Sequence, residues 1–318
     1  MRESPRHDLF RERIDAFVHE LPGLADDNLE ARHRARVASR RLRELLPVLG
    51  MAPHTSHRLG RRLRRVTRRL GTVRELDVLL LLIEEFQSTG RYSPAALKQV
   101  STAVGRARDA ACKRLIAKLP IAKLERLANR LERAVELFRS DVVAVGRSGA
   151  NGEPRAWLWA LDARLARRAT SVRSAIYSAG GLYSGGRMHD VRIAVKKLRY
   201  ASELSTEVGR RRIASEIAAL ERAQDLLGRL HDLEVLVAWA RDVQAKLSLP
   251  DLMAWRQLRV LIHAVEADCR RLHTRYLRDR LSLIAVADRL AASTPHSAPP
   301  VALRPTARPE SDRTVKIR

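Results

Sequence analysis

The chain has little of what usually builds an active site, a disulfide scaffold or a membrane anchor. Across 318 residues there are two cysteines, Cys112 and Cys269. That is too few for a disulfide framework and gives no zinc spacing, so buried thiols in a reducing compartment are expected. Aromatic residues make up 4%, which leaves few side chains on which nucleic-acid bases could stack. Glycine (15) and proline (13) are sparse against abundant Ala, Leu, Arg and Glu, a balance that favours helices. The longest uninterrupted apolar run, Val78 to Ile83, is far too short to span a bilayer. The start, MRESPRHDLF, has no apolar run of the signal-peptide kind. A soluble cytoplasmic protein with no membrane partner is therefore expected. No HExxH, no Ser/His/Asp set and no paired catalytic carboxylates stand out, so neither an enzyme nor a metal or cofactor site is expected.

Acid is scarce as well. Thirty-six Asp and Glu stand against 61 Lys and Arg, a formal net charge of +25. Such an excess repels itself in a folded chain and points to a polyanionic partner: nucleic acid, an anionic membrane surface, or inorganic polyphosphate. The cations are concentrated. Between Arg32 and Leu70 lie thirteen arginines and one acid, Glu44.

The densest stretch is ARHRARVASRRLRELL, residues 31 to 46. At 100° per residue, His33, Arg36, Arg40 and Arg43 fall on one arc, and Ala35, Ala38, Leu42, Leu45, Leu46 and Leu49 lie roughly opposite. Asp26, Asp27 and Asn28 offer N-caps. The next helix, about 55 to 70, puts Arg58, Arg61, Arg62, Arg65, Arg68 and Arg69 on one face and Leu59, Leu63, Val66 and Leu70 on the other. Gly71 is expected to end it, with a further helix opening at Arg74 and running through Phe86. Helices are also expected at about 94–119, 121–139, 154–177, 188–200, 210–227, 231–246, 250–278 and 279–291, with a linker at 146–154 and a disordered basic tail from Ser293.

The strongest organising fact is a repeat. HRARVASRRLR at 33–43 matches HDVRIAVKKLR at 189–199, and LGTVRELDVLL at 70–80 matches LGRLHDLEVLV at 227–237. His33 to Asp77 spans 44 residues and His189 to Glu234 spans 45. The expected architecture is all-α and internally duplicated, two four-helix bundles about a pseudo-two-fold axis, with repeats near 5–145 and 154–291. If the copies face each other, His189, Arg192, Lys196 and Arg199 form a second cation column opposite the first. Successive cations about 5 Å apart suit a linear chain of phosphates, each guanidinium taking two oxygens. Glu75, Asp77, Asp232 and Glu234 recur beside the columns and are expected to pair with Arg or Lys, since residues two apart on a helix point away from each other. The glycine-rich loop at 180–186 lacks the Lys-Ser/Thr ending of a P-loop. Trp157, Trp159, Trp239 and Trp255 sit in apolar helical contexts and are expected in the core.

The duplicated H-x-x-R-[VI]-A-x-[RK]-[RK]-L-R block, followed by L-G-x-x-[RH]-[ED]-L-[DE]-V, resembles the CHAD (conserved histidine α-helical domain) family over roughly residues 5 to 285. The resemblance implies two four-helix bundles around a basic central channel that binds inorganic polyphosphate, with some members associated with polyphosphate granules. By position it implies polyphosphate contacts at His33, Arg36, Arg40, Arg41 and Arg43, and at His189, Arg192, Lys196, Lys197 and Arg199. No Glu-x-Glu-x-Lys signature of the triphosphate-tunnel domain fused to some members occurs, which argues against hydrolysis. The second copy lacks the arginine face of 58–69, keeping mainly Arg222 and the run 210–212, so the first half is expected to contribute more. Two other readings remain: sequence-independent nucleic-acid binding, and phosphoryl transfer through His33 or His189.

Overall fold

The basic helix is started by Asn28, whose side chain accepts from the backbone N–H of Glu30 (2.9 Å) and Ala31 (3.0 Å). It ends where Pro47 enters a single 3-10 turn, Leu46–Val48. The computed structural model describes residues 5–26, 28–147, 153–209, 212–247 and 251–292. The expected tail from Ser293, most of the 146–154 linker and Arg210–Arg211 lie outside the described residues. Among those described, the secondary structure is helical throughout: α1 Pro5–Val18, α2 Leu21–Ala25, α3 Leu29–Leu45, α4 Pro53–Thr89, α5 Pro94–Lys118, α6 Ile121–Arg147, α7 Glu153–Ala179, α8 Gly185–Glu207, α9 Ala214–Ala245 and α10 Leu252–Ala292. Proline at the first turn of α4 and of α5 suits the fixed φ of a helix start. Gly90, at φ +63°, closes α4 in the left-handed conformation.

Three expected breaks are not breaks. Gly71 lies inside α4; the two helices expected on either side of 228–230 are one helix, α9, and the two expected to meet at 278–279 are one helix, α10. A helix-interior glycine loses only about 1 kcal/mol against alanine, which packing along a long helix outweighs. Likewise α6 runs on to Arg147.

The continuity of α4 matters to everything built on it. Its first half, with Leu59, Leu63, Val66 and Leu70, packs with Phe10 and Ile14 of α1, Leu42 and Leu45 of α3, and Leu131 of α6. Its second half, with Leu79, Leu82, Ile83 and Phe86, joins α5 in a core shared with α7, α8, α9 and α10. Those last four pack in a closed ring, α7 on α8, α8 on α9, α9 on α10 and α10 on α7. A largely buried ion pair and an exposed one tie the halves together. Glu44 of α3 accepts from Arg164 of α7 at 3.2 and 2.5 Å, and Glu85 of α4 takes both Nη atoms of Arg229 of α9 at 2.8 and 2.6 Å. Cys112 and Cys269 are both buried, and neither forms a disulfide. Of the tryptophans, Trp157 is buried, whereas Trp159 and Trp255 are exposed and Trp239 lines the cleft described next. A helical apolar context does not by itself decide which ring faces solvent.

Candidate functional site

The middle of α4, between its two apolar halves, forms one wall of a cavity of about 550 Å³ where α3, α4, α5, α8 and α9 approach one another. His33 and Arg36 reach it from α3, Arg74 and Glu75 from α4, Arg192 from α8, and His231 and Asp232 from α9. The two columns expected from the repeat meet beside it. Arg40 Nη1 donates to Tyr200 Oη of α8 at 2.8 Å, and the guanidiniums of Arg40 and Arg199 both lie over the Tyr200 ring, 5.4 and 5.1 Å from its centroid. The rings of His189 and His231 are 5.0 Å apart.

The consequences for charge are large. Burial pushes the Lys196 amine down to about 6, and the charges of Arg40, Arg192, Arg36 and Arg199 add to that shift. Arg36 is lowered to about 10, first by burial and then by Arg40, with Glu75 opposing. His231 falls to about 4 through burial and the charges of Arg192, His189 and Lys196. Burial, Arg74, Arg36, Arg40 and Lys196 lower His33 below its ordinary value. Arg192 is lowered by burial, although Asp232 and Glu75 pull it up. Too many positive groups share too little water here, and the nearby acids do not balance them. The nearest Arg36–carboxylate approach is 3.9 Å, to Glu75. Such a site gains from a bound anion.

The acids beside the columns mostly have partners. Asp77 accepts from Arg108 Nε at 3.0 Å. Glu234 accepts from Tyr183 Oη at 2.7 Å and lies 3.9 Å from His231 Nδ1, so its partners are not the expected Arg or Lys. Arg199 is held by Glu203 (2.9 Å), Glu221 (3.1 Å) and Gln224 (3.1 Å), which leaves it less free than Arg36 or Lys196. Among the described residues no three His, Cys, Asp or Glu side chains converge as metal ligands.

Several sequence-predicted residues lie elsewhere. Lys197 lines a groove between α7 and α8, because neighbours on a helix point about 100° apart. Arg41 is exposed and acts on Glu203. Arg43 adjoins Arg64 of α4 at the far end of the column. Arg58 and Arg62 line a groove against α6, and Arg65 adds its charge to that of Arg62. Arg61 and Arg68 are exposed, and Arg69 donates to the Lys118 carbonyl. Arg222 lines a separate cavity of about 690 Å³ between α9 and α10. Sequence reasoning missed Arg74 and His231. They occupy the same position of the repeated LGxx[RH] block, which is the signal that could have found them.

Gly71 has a reason of its own. A Cβ at this position would stand 3.2 Å from Arg36 Nε and 3.3 Å from its Nη2. The guanidinium thus lies across the bare backbone of α4, its Nε buried and without a hydrogen-bond partner. Gly71→Ala is expected to leave thermal stability unchanged or raised by up to about 1 kcal/mol, through helix propensity. It should at the same time displace Arg36 and weaken polyanion binding severalfold. A thermal melt and a polyanion titration on one sample check this; a lower melting temperature with unchanged binding would contradict it.

Comparison with known proteins adds two findings. A sequence model of the CHAD domain matches residues 8–241. The crystal structure of the CHAD domain from the plant Ricinus communis superposes with a TM-score of 0.51 over 91% of both chains at 18% identity. At that identity the likeness speaks to the fold. A search of curated protein sequences finds no match.

Proposed function

Because the chain belongs to the CHAD domain family, whose members are associated with polyphosphate binding, we propose that it binds inorganic polyphosphate in the cleft between α3, α4, α8 and α9 and does so without catalysis. Arg36, Arg40, Arg74, Arg192 and Lys196 supply the charge, His189 supplies a further donor, and His33 and His231, both held below their ordinary value, gain protons beside phosphate. The observation that carries this reading is the uncompensated positive charge of the cleft, expressed in a Lys196 amine held near 6. A flexible, unbranched phosphate chain suits a cleft lined by separate guanidiniums, each offering a planar fork to two oxygens. Such a module would act in recruiting or retaining polymer, for example at polyphosphate granules. Among the described residues no helix is long and apolar enough to cross a membrane.

Displacement of a labelled single-stranded DNA by long-chain polyphosphate tests the reading. Polyphosphate is expected to displace the DNA at a much lower concentration of phosphate groups than unlabelled DNA does. Affinity should fall roughly tenfold to a thousandfold between about 50 and 200 mM salt, as condensed counterions are released on binding. Equal potency of the two polymers would favour non-specific nucleic-acid binding instead. Phosphate release from the polymer in the presence of magnesium or manganese would overturn the non-catalytic part.

A further inference from the structure

Away from the cleft, four arginines meet with nothing to neutralise them. Arg58 and Arg62 on α4, with Arg130 and Arg133 on α6, line a groove of about 330 Å³ that also includes buried Leu59 and exposed Leu137. Arg58 and Arg62 are one helical turn apart and so share a face. That face is turned roughly a third of the way round α4 from Arg64, Gly71 and Glu75, which face α3. The groove is therefore not an extension of the cleft.

Elsewhere among the described residues several arginines have a matched acid: Arg164 and Arg168 share Glu44, Arg229 has Glu85, and Arg199 has Glu203 and Glu221. Here, among the described residues, Arg58, Arg62 and Arg130 make no ion pair. Arg133 donates only to the Asn129 carbonyl, at 3.3 Å. Desolvation, and then the charges of Arg130, Arg58 and Arg65, lower the pKa of Arg62. The repulsion is partly screened by water, but no internal group relieves it. Two helices present guanidiniums to each other across a concave space, an arrangement able to enclose an anion from opposite sides with paired hydrogen bonds.

We propose that this groove is a second anion site, independent of the cleft, which takes a compact run of linked phosphates. Its volume suits two or three phosphates better than a folded polymer, and guanidinium forks on two walls favour tetrahedral oxyanions with several oxygens each. A free oligophosphate and the triphosphate of a nucleotide share this chemistry.

The test uses the full chain carrying Arg36→Ala and Arg192→Ala, so that cleft binding is already weakened, titrated with tripolyphosphate and with ATP. Tripolyphosphate is expected to bind and to raise the melting temperature with ligand concentration. Adding Arg62→Ala and Arg130→Ala should weaken that binding by about tenfold or more. The corresponding lysine pair, which keeps charge but loses the fork, should fall between the two. Tripolyphosphate binding as tightly as ATP would identify the phosphate run as the whole recognition element, and tighter ATP binding would add a contact from the base to the groove. No tripolyphosphate binding to the cleft variant would overturn the proposal. So would binding untouched by Arg62→Ala and Arg130→Ala, or citrate binding equally well. Long-chain polyphosphate binding unaffected by the cleft substitutions would instead overturn the cleft reading, so the two failures are distinguishable.

Discussion

Replacing Arg36 and Arg192 together by alanine is expected to weaken binding of long-chain polyphosphate by about a hundredfold or more at moderate salt, since each charge-assisted hydrogen bond contributes on the order of 1.5–3 kcal/mol. Both side chains line the cleft, one from each copy of the repeat, and each is lowered in pKa chiefly by burial. A purely electrostatic, surface-wide attraction would lose the same small factor wherever two charges are removed. The matched control is therefore Arg256→Ala with Arg278→Ala, two exposed cations of α10. That pair should weaken binding only a few-fold, as expected for a change in net charge alone. Calorimetry on both variants, with far-ultraviolet circular dichroism to show that the helices persist, separates the cases. Equal losses in the two pairs would mean that the cleft has no special role.

Lys196→Met is expected to move stability and binding in opposite directions. In the folded, anion-free protein the amine is held near 6, against an ordinary value of 10.5, so between those limits the unfolded chain carries a proton that the folded chain has shed. Where the unfolded state binds more protons, stability rises with pH, so the wild-type protein should become more stable as pH is raised above 6. Methionine fills a similar volume without a charge. At neutral pH it should stabilise the anion-free protein by on the order of 2 kcal/mol and flatten the dependence of melting temperature on pH. Polyphosphate bound in the cleft is expected to recharge the lysine, so binding should take up a proton. Wild-type affinity should therefore rise as pH falls from about 8 towards 6, with His33, also lowered, adding to the rise. The variant should bind more weakly and lose most of the dependence between pH 6 and 8. Melting curves across this range, and heats of binding in buffers of different ionisation enthalpy, check both halves of the prediction.

The site was legible in the sequence where it depends on helix periodicity, and illegible where it depends on how helices meet. His33, Arg36 and Arg40 could be placed on one arc because the spacing of three and four residues dictates it, and Arg192 and Lys196 followed from the repeat. Periodicity also separates the adjacent pairs. Arg40 and Arg41, or Lys196 and Lys197, cannot both face one cleft, and in the structure Lys197 faces α7. The arginine face of 58–69 was visible as a face, but its neighbour was not. Only the antiparallel pairing of α3 with α4, fixed by Ser39 bonded to Thr67 at 2.9 Å, assigns Arg64 rather than Arg62 to the side of Arg43. Gly71 misled for a related reason. A glycine after a helical run usually signals an end, whereas here its missing side chain makes room for a guanidinium from 35 residues earlier. A close approach between distant residues leaves no trace in local spacing.

The cleft stores unfavourable charge in the absence of ligand, and this links its stability to its binding. Arginines are held together by the packing of α3, α4, α8 and α9 beside a lysine that sheds its proton, with Glu75 and Asp232 too few to neutralise them. Removing charge therefore stabilises the empty protein while impairing the site, a relation frequent where function requires strained electrostatics. The measurement that tests the account most directly is a crystal structure of the full chain with polyphosphate of intermediate length. Linked phosphates are predicted in the cleft, in contact with Arg36, Arg40, Arg192 and Lys196. A complex with ordered phosphates on other surfaces and none in that cleft would contradict it.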